Sequence, residues 1–496
     1  MRKFLFLITL FSTCIGLATA QSPVKGSVKD NTGEPIIGAS VVEKGTTNGV
    51  ATDISGEFTI TVKAGATLQI SYLGYVKQEV PVPARSTLIE VTLLEDYTTL
   101  DEVVVVGYGT QKKATLVGAV SSVSNKDISV TKNENVVNML TGKLPGVRIS
   151  QLSSRPGEFA TKIDIRGMGT PLVVVDGITR DIGYFSRMDA NEIESISVLK
   201  DASAAIYGLR SANGVLLVTT KRGDQEGKFD VTYSTNYGWQ QFLYLPDNVD
   251  ALDYMTLRNE KKWRDFGSNY MNRQLPDYND ADRAPFLNGT QQTTDWMSAL
   301  FHDVTPQYQH NVSIDGSTDK VNYFFNLGYL NQSGALKTDA MNYNRWNFRS
   351  NIDVKLTNRL KAEISFGGYM DEMNEPAMDI WTVYKSAWLQ RPYVPIYANG
   401  NPEYLNSYEV QDDNPLALTD PNIAGYRNNV ARVFNSSLAL SYKIPFIEGL
   451  TARAMYSYNY NYQENSNFSK FFYLYRYYPD TDYYEPSARH GSSGDN

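Results

Sequence analysis

Strict alternation of apolar and polar residues over more than ten positions is the feature that most constrains how this chain folds. In residues 345–356 one parity holds Trp346, Phe348, Ile352, Val354 and Leu356, and the other holds Arg345, Asn347, Arg349, Asn351, Asp353 and Lys355. The pattern resumes in Leu360, Ala362, Ile364 and Phe366, after the short turn Thr357-Asn358-Arg359. Because successive side chains of a strand point to opposite faces, both runs predict strands with one apolar and one charged face.

A second pair of runs repeats this pattern with aromatic residues. The apolar parity there holds Leu438, Leu440 and Tyr442, followed by Leu450, Ala452, Ala454, Tyr456, Tyr458 and Tyr460. Strands of ~10 residues with an apolar outer face, aromatic girdles, short turns on one side and long loops on the other are typical of transmembrane β-barrels. We therefore expect the long polar stretches 243–306 and 371–429 to be extracellular loops and the short turns to be periplasmic.

The number of such strands is small. We count about seven between Val231 and the end of the chain, whereas plugged outer-membrane transporters have ~22 strands. An open sheet would leave edge main-chain groups unpaired in lipid. We therefore expect an incomplete barrel that belongs to a longer protein.

The N-terminus has the pattern of a secretory signal peptide. Arg2 and Lys3 precede an apolar run that closes on Ala18-Thr19-Ala20, which predicts export with cleavage after residue 20. The run of about 14 apolar residues is shorter than the ~20 needed to span a membrane. The only cysteine, Cys14, lies inside this segment, so the mature chain has no disulfide framework.

Composition argues against several functional classes. The net charge is −8 without a basic cluster, so nucleic acid is not an expected partner. His302, His310 and His490 are scattered without neighbouring ligands, which gives no support to a metal site. A convergent nucleophile, base and orienting group cannot be found at a readable spacing. We therefore expect no catalytic residues, no cofactor and no enzymatic activity.

Residues 24–94 contain short Val/Ile/Thr-rich runs separated by turn clusters such as Asp30-Asn31-Thr32-Gly33. This spacing predicts a small β-sandwich. The stretch "VKDNTGEPIIGASVVEKGTTNGVATDISGEFTITV" followed by "LQISYLGY" resembles the carboxypeptidase-regulatory-like domain that precedes many Bacteroidetes transporters. The segment has no set of catalytic residues, so we expect a structural or docking module.

Four consecutive valines, Val103 to Val106, follow the acidic pair Asp101-Glu102 and precede Gly107. Composition alone favours a buried core strand, but the position between two compact segments allows a tethered, unpaired strand that adds to another protein's sheet. The sequence "LDEVVVVGYGTQKK" resembles the TonB-box region of SusC/RagA-like proteins. The resemblance implies that Asp101, Glu102, Val103, Val104, Val105, Val106 and Gly107 bind the periplasmic domain of TonB.

Residues 111–223 contain "LTGKLPGVRIS", "IDIRGMGTPLVVVDGITR" and "NEIESISVLKDASAAIYGLRSANGVLLVTTKRG", which resemble the plug domain of TonB-dependent receptors. We expect a mixed α/β domain with a short helix over 135–144 and buried strands at 172–175 and 215–220. Six charged residues either bridge plug and barrel or are solvated, namely Asp164, Arg166, Glu192, Glu194, Lys200 and Asp201. The sequence does not decide between these alternatives.

Taken along the chain, the sequence resembles the N-terminal portion of a SusC/RagA-like TonB-linked outer-membrane transporter. The resemblance implies a mainly β protein in the cell outer membrane with a periplasmic N-terminal domain. The predicted segments are a signal peptide (1–20), a β-sandwich (21–96), a TonB-box linker (97–110), a mixed α/β plug (111–223) and the first strands of an incomplete transmembrane β-barrel (224–496).

The function implied by this resemblance is TonB-energised import of a nutrient, either a glycan or an oligopeptide. The implied partners are TonB, a SusD-like surface lipoprotein and outer-membrane lipid. A cell-surface receptor for adhesion or signalling, built on the same plug and barrel, is the alternative. Tyr- and Trp-rich loops suit sugar stacking and peptide binding equally well.

Overall fold

The computed structural model describes residues 21–63, 65–72, 75–82, 88–94, 103–106, 109–112, 120–223, 227, 229–265, 276–407, 414–447 and 449–487. The predicted signal peptide therefore lies outside the described residues, as do Asp101, Glu102 and Gly107 of the predicted TonB box. The chain divides into two compact units, which are Met1–Val104 with Thr110–Val117, and Val105–Gly109 with Gly118–Asn496.

The first unit contains two small sheets around one core. Its strands are β1 (Gln21–Lys29), β2 (Ser40–Glu43), β3 (Gly49–Ala51), β4 (Glu57–Lys63), β5 (Thr67–Ser71), β6 (Gln78–Pro81) and β7 (Leu88–Thr92). The sheet orders are β4-β1-β7 and β3-β2-β5-β6. In β4 every second residue is buried, and Phe58, Ile60 and Val62 join the common core. The predicted β-sandwich is confirmed.

The valine run forms a strand, but this strand has a partner. Strand β8 (Val103–Val106) and strand β9 (Gly109–Lys112) make a two-stranded sheet. The expectation of an unpaired strand was therefore wrong. Pairing with the segment that follows directly in the chain closes only a short loop, which costs little entropy.

The plug occupies the start of the second unit. Its elements are β10 (Val120–Ser124), α1 (Asn125–Ser129), β11 (Val147–Gln151), β12 (Thr161–Ile165), β13 (Leu172–Val175), β14 (Ile178–Arg180), α2 (Ile182–Ser186), β15 (Ile193–Leu199) and β16 (Val215–Thr220). They form a sheet of order β10-β15-β16-β13-β14 and a separate β11-β12 hairpin. Short 3₁₀ helices cover Asn138–Leu140, Ala190–Glu192 and Asp201–Ser211.

Two local predictions in the plug had different outcomes. The helix expected over 135–144 was wrong, because only Asn138–Leu140 is helical, as a 3₁₀ turn. The Asn135 side chain accepts a hydrogen bond from the Val137 N–H at 2.9 Å, and such local bonds compete with helix formation. The strand at 172–175 is confirmed, and Asp176 and Gly177 follow it with φ of 48° and 85°, as a tight hairpin turn requires.

The rest of the second unit is a meander with long insertions. Its elements are β17 (Phe229–Gln241), α3 (Ala251–Asp265), α4 (Asp280–Leu287), α5 (Trp296–Leu300), β18 (Val304–Ser317), β19 (Val321–Ser333), β20 (Asn342–Lys355), β21 (Leu360–Pro376), α6 (Ile380–Leu389), α7 (Pro415–Thr419), β22 (Gly425–Lys443), β23 (Thr451–Ser469), β24 (Tyr475–Tyr478) and β25 (Tyr483–Pro486). Strands β17 to β23 pair in sequence order as one seven-stranded antiparallel sheet. The expected strand count and the incomplete barrel wall are confirmed.

The two faces of this wall differ as the alternation predicted. On β20 the side chain of Trp346 is 47% exposed, whereas its neighbours Arg345 and Asn347 are 1% and 3% exposed. The apolar face is the outer one, and the polar face is covered by the plug. Every helix in the described part of the chain is too short or too polar to cross a membrane.

An aromatic row crosses the outer face of four neighbouring strands. Ring centroids are 6.0 Å apart between Tyr237 and Tyr308, 6.1 Å between Tyr308 and Tyr329, and 4.5 Å between Tyr329 and Trp346. The row lies toward the end of the sheet that carries the long insertions. Such rows mark the membrane interface of outer-membrane barrels.

The long insertions lie at one end of the wall and have a core of their own. They cover residues 242–303 and 377–424, so the strands reach further than the predicted loop bounds allowed. Asn374 donates to Asn342 at 3.0 Å and Asn428 donates to Asn374 at 2.7 Å, which shows that residues typical of loops continue the sheet there. The shared loop core contains Trp296, Phe301, Leu336, Val383, Leu418 and Leu474.

Candidate functional site

The inner face of β20 is the main polar contact between barrel wall and plug. Side chains at alternate positions of this strand donate hydrogen bonds to main-chain carbonyls of the plug. Arg345 Nη2 donates to the Glu134 carbonyl at 3.0 Å, and Asn347 Nδ2 donates to the Arg187 carbonyl at 2.8 Å. Asn351 Nδ2 donates to the Lys221 carbonyl at 2.7 Å. Hydrogen bonds satisfy buried polar groups that would otherwise be costly. The charged and polar side chains on the inner face of this strand therefore hold the plug.

An ion pair lies at the centre of this contact. Arg349 Nε donates to Glu192 Oε2 at 2.8 Å, and the two side chains are 5% and 2% exposed. Arg349 Nη2 also donates to the Tyr184 hydroxyl at 3.1 Å. Burial raises the pKa of Glu192 from 4.5 to about 7, although Arg349 favours the ionised form.

Two glycines of the wall leave room for charged side chains. A Cβ at Gly367 would lie 3.0 Å from Arg349 Cζ, and a Cβ at Gly328 would lie 2.6 Å from Asp189 Oδ2. The carboxylate of Asp189 accepts hydrogen bonds there from Gln309 Nε2 at 3.1 Å and Asn311 Nδ2 at 3.2 Å. Glycine at these two wall positions lets polar groups of plug and barrel meet directly.

Further ion pairs join the plug to the wall on either side of Arg349. Arg187 Nε of the plug donates to Asp371 Oδ2 at 2.7 Å, and the Tyr343 hydroxyl donates to the same oxygen at 2.9 Å. Arg222 pairs with Asp353. The plug is therefore held along the length of the strands and not at one point.

Of the six charged plug residues singled out from the sequence, Glu192 bridges to the wall. Lys200 stays within the plug, where it donates to Ser121 Oγ at 2.9 Å and to the Pro145 carbonyl. Asp164 accepts from the Gly169 N–H at 3.4 Å, also within the plug. The side chain of Asp201 lies outside the described residues.

Sequence reasoning missed the bridges made by Arg187, Asp189 and Arg222. Their partners are more than a hundred positions away, for example 184 positions between Arg187 and Asp371. The one signal that pointed to these contacts was the charged parity of the strands.

A cavity of about 1150 Å³ lies between the plug segment 152–158 and the long insertions of the wall. Its lining includes Leu152, Arg155, Glu158, Gln240, Phe242, Phe301, Asp303, Thr305, Ser333, Asp379, Trp381 and Tyr384. The volume is slightly above the ~300–1,000 Å³ of small-ligand sites. Because it lies at the loop end of the wall, the cavity is a candidate ligand site.

Charged groups at this cavity are arranged around Arg155. Its Nε lies 3.0 Å from Glu158 Oε2, and its Nη1 lies 2.9 Å from Glu375 Oε1 and 4.0 Å from Asp379 Oδ1. Arg427 Nη2 lies 3.7 Å from Glu375 Oε2. Arg155 therefore links the plug segment to the inner wall directly beneath the cavity.

Aromatic rings form another part of the cavity lining. Trp381 and Tyr384 of α6 stack with centroids 5.7 Å apart and planes at 19°, and Phe301 lies 6.4 Å from Tyr384 and 5.7 Å from Phe242. Trp381 is 67% exposed, whereas Phe301 is 5% exposed. The buried ring of Phe301 thus supports the ring of Tyr384, on which the exposed ring of Trp381 stacks.

Of the predicted TonB-binding residues, Val103, Val104, Val105 and Val106 form β8. Groups of three or more His, Cys, Asp or Glu side chains that could hold a metal ion are absent from the part of the chain that the structure describes.

Comparison with known proteins agrees with this architecture. Residues 112–215 match the family model of the TonB-dependent Receptor Plug Domain, and residues 24–105 match that of the CarboxypepD_reg-like domain. TonB-dependent receptor P26 of Formosa agariphila is 36% identical over 412 residues, which are 80% of this chain and 39% of that protein. TonB-dependent receptor SusC of Bacteroides thetaiotaomicron is 32% identical over 458 residues, which are 89% of this chain and 43% of that protein.

A solved structure shares the fold. The RagAB peptide importer in its 'open-open' state superposes with a TM-score of 0.60 at 24% identity, over 73% of this chain and 43% of that one. The chain spans about two fifths of the length of these curated relatives. The chain therefore carries the regulatory-like domain and the plug domain of TonB-dependent receptors, followed by the first strands of a barrel wall, and SusC-like TonB-dependent receptors are its relatives.

Proposed function

We propose that the full-length protein imports a nutrient, a glycan or an oligopeptide, through the outer membrane with energy supplied by TonB. The observation that carries this proposal is the plug seated on the polar inner wall, with a ligand-sized cavity on its loop side. A ligand bound in that cavity passes only when the plug moves. Movement requires work, because many hydrogen bonds and ion pairs hold the plug.

Residues Asp101 to Gly107 are the proposed site where TonB applies this work. The described part of this segment, β8, is paired only with β9 in a two-stranded sheet. Isolated two-stranded sheets are marginally stable in water, so β8 is available to exchange β9 for a strand of another protein. Main-chain pairing of this kind transmits force without demanding particular side chains.

Two further partners follow from the two exposed surfaces of the second unit. The apolar outer face with its aromatic row suits outer-membrane lipid. The loop insertions, which share one core, offer a firm surface for a SusD-like surface lipoprotein. The RagAB relative is described as a peptide importer, which supports import as the activity and leaves both ligand classes open for this chain.

Deletion of Asp101 to Gly107 in the full-length protein tests this function. The nutrient is first identified by growth of a gene-deletion strain on a panel of polysaccharides and protein digests. We expect the segment deletion to abolish uptake of that nutrient while its binding at the cell surface is retained. Normal uptake by the deletion variant would refute TonB coupling at this site. Surface binding without uptake in the unaltered protein would instead support an adhesion or signalling receptor.

A further inference from the structure

Lys200 is a buried cation at the junction of three strands of the plug. It follows directly after β15 and is 6% exposed. Its Nζ donates to Ser121 Oγ of β10 at 2.9 Å and to the carbonyl of Pro145, which lies two positions before β11. Because an ammonium group has three donors, one lysine can satisfy acceptors on several elements at once. Lys200 therefore ties β10 and the start of β11 to the end of β15.

The second of these contacts lies at the base of the β11–β12 hairpin. Gly146 has φ +77°, and a Cβ added there would lie 3.5 Å from Lys200 Nζ. The Gly146 carbonyl accepts the N–H of Arg166 at 3.0 Å, and the next pair of the hairpin joins Val147 and Ile165. The ammonium group is thus packed against the place where the hairpin opens into the rest of the plug.

Strand β10 is the first plug strand that a pull on the proposed TonB site reaches, because Asp101 to Gly107 precede it in the chain. It forms the edge of the five-stranded sheet and pairs with β15. A pull from the N-terminal side loads the pair Val120 and Leu199 first, and this pair adjoins Ser121 and Lys200. An edge strand has a hydrogen-bonded neighbour on one side, so β10 would leave the sheet alone unless a side chain tied it to another element.

The hairpin can move without breaking that sheet. Strands β11 and β12 pair with each other as a separate two-stranded sheet. The segment that joins them reaches the wall, where Arg155 Nη1 lies 2.9 Å from Glu375 Oε1 and Gly157 packs against Tyr343. Strand β11 has five residues, which span about 17 Å. A displacement at Lys200 is thus carried over this length to a contact that holds the plug.

We propose that Lys200 is a positioning residue that transmits the pull of TonB from β10 to the β11–β12 hairpin, so that both leave their seats in one step. The proposal rests on the TonB-energised import proposed above and names the residue through which the force passes. The link needs the ammonium group, because an apolar side chain cannot hold Ser121 Oγ and the Pro145 carbonyl together. Hydrogen bonds of a charged donor are stronger than neutral ones, so this tie resists force better than a neutral contact would.

Single-molecule pulling on the full-length protein tests this transmission. The protein is held in a supported lipid bilayer, and the purified TonB periplasmic domain on a cantilever binds and pulls the segment Asp101 to Gly107. If Lys200 couples the two elements, the first step releases residues 108–165, about 200 Å of extended chain. If β10 leaves alone, the first step releases residues 108–124, about 60 Å. We expect the long step for the unaltered protein.

Lys200→Met and Ser121→Ala remove the tie from its two ends. Methionine keeps an unbranched apolar stem without a donor, and alanine removes the acceptor on β10 while leaving Lys200 in place. Both variants should give the short first step. Ser121→Thr keeps the hydroxyl and should restore the long step. Ser122→Ala is the matched control, because Ser122 lies on the same strand but its Oγ is 3.4 Å from Ser197 Oγ.

Uptake in cells provides the functional readout. Lys200→Met and Ser121→Ala should reduce the uptake rate roughly tenfold, the factor that loss of one hydrogen bond to a charged group produces. Binding of the nutrient at the cell surface and binding of the TonB domain should be unchanged, because neither site is altered. A merely structural role of Lys200 would instead lower the thermal stability and leave the length of the first step as it is. If Lys200→Met does not reach the outer membrane, Ser121→Ala alone decides.

Four results overturn the proposal. They are a short first step in the unaltered protein, a long first step in both Lys200→Met and Ser121→Ala, normal uptake in both variants, and equal effects of Ser121→Ala and Ser122→Ala. The import function itself is tested separately by the deletion of Asp101 to Gly107. A protein that loses uptake on that deletion but not in Lys200→Met or Ser121→Ala retains TonB-energised import and loses only this inference.

Discussion

Arg349 of the barrel wall and Glu192 of the plug are joined by a 2.8 Å hydrogen bond with both side chains buried. Arg349 lies in the middle of β20, and Glu192 lies directly before β15, the central-sheet strand that pairs with both β10 and β16. The pair therefore connects the main sheet of the plug to the wall that surrounds it. Arg349 and the polar contacts of Glu192 should therefore affect how firmly the plug is seated.

Replacing Arg349 with methionine should loosen the plug. The substitution leaves the Glu192 carboxyl buried without its cation and removes the hydrogen bond to the Tyr184 hydroxyl. Loss of one partner from a buried pair costs about 3–5 kcal/mol. Hydrogen exchange of the β15 amides in the full-length protein should show an opening free energy lower by this order.

Lys44→Met provides the control for this measurement. Lys44 and Glu79 form an ion pair of 2.6 Å in the first unit, with side chains 55% and 42% exposed. Exposed pairs contribute little to stability because solvent screens them, so exchange of the neighbouring β5 amides should hardly change. An Arg349→Met effect no larger than that of Lys44→Met would show that the buried pair does not seat the plug.

The seating of the plug should weaken as pH rises toward neutrality. Burial raises the pKa of Glu192 from 4.5 to about 7, so the folded state binds more protons than the unfolded state between these values. The stabilisation is complete below about pH 4.5 and is lost as pH rises through about 7. Protection of the β15 amides, corrected for intrinsic exchange, should fall over this window.

Glu192→Gln should flatten this pH dependence, because the amide does not titrate. Glu134 has a raised pKa for the same reason, burial, and leaves a slope of the same sign. Arg349, Asp189 and Arg345 are the charged groups that act on Glu192, and they remain unchanged in this variant. An unaltered slope in Glu192→Gln would assign the pH dependence to another group.

Gly157→Ala should disturb the contact between the plug segment at the cavity and the wall. Gly157 has φ +73°, and an added Cβ would lie 2.4 Å from Tyr343 Cδ2 and 2.8 Å from Met373 Sδ. Tyr343 is 1% exposed and cannot move aside. We expect a loss of about 1–3 kcal/mol from overpacking, added to about 1–2 kcal/mol of left-handed strain.

Gly142→Ala separates these two terms. Gly142 lies in the plug with φ +77°, but nothing lies within 4 Å of its added Cβ. It should therefore show only the backbone strain. The difference between the two variants in thermal unfolding of the full-length protein measures the steric part, and equal losses would contradict a close approach of Gly157 to the wall.

Val105→Pro should prevent TonB from pairing with β8. Proline has no N–H to donate and is confined to edges and bulges in sheets, whereas Val105→Thr keeps the main-chain donor and a β-branched side chain. Binding of the purified TonB periplasmic domain and uptake of the nutrient should both be lost in the proline variant and kept in the threonine variant. Loss in both variants would indicate that side chains carry the recognition.

The wall of the barrel could be predicted from the sequence because its signal is local. The alternation around Trp346 and Arg345 has a period of two, and one face is buried against the plug while the other is apolar. Strand number and face follow from that period, and the loop side follows from the contrast between short turns and long polar stretches. The helix expected over 135–144 did not form, because the side chain of Asn135 accepts a hydrogen bond from the Val137 N–H, and this local bond competes with helical pairing.

The cavity and most plug-to-wall bonds could not be predicted, because they join distant segments. Trp296, Val383 and Leu474 share a loop core although about ninety residues separate each from the next. Arg155 meets Glu375 across more than two hundred positions. No periodicity in a single sequence reports contacts of this range.

The polar inner face of β20 has a consequence for the opened state. When the plug leaves, Arg345, Asn347 and Asn351 exchange protein partners for water, and such exchanges change the free energy by only about 0.5–1.5 kcal/mol each. An apolar inner face would instead be exposed to water, which costs about 25 cal/mol per Å² of apolar surface. In the proposed import cycle, the same side chains that hold the plug would thus become a hydrated lining for the passing solute.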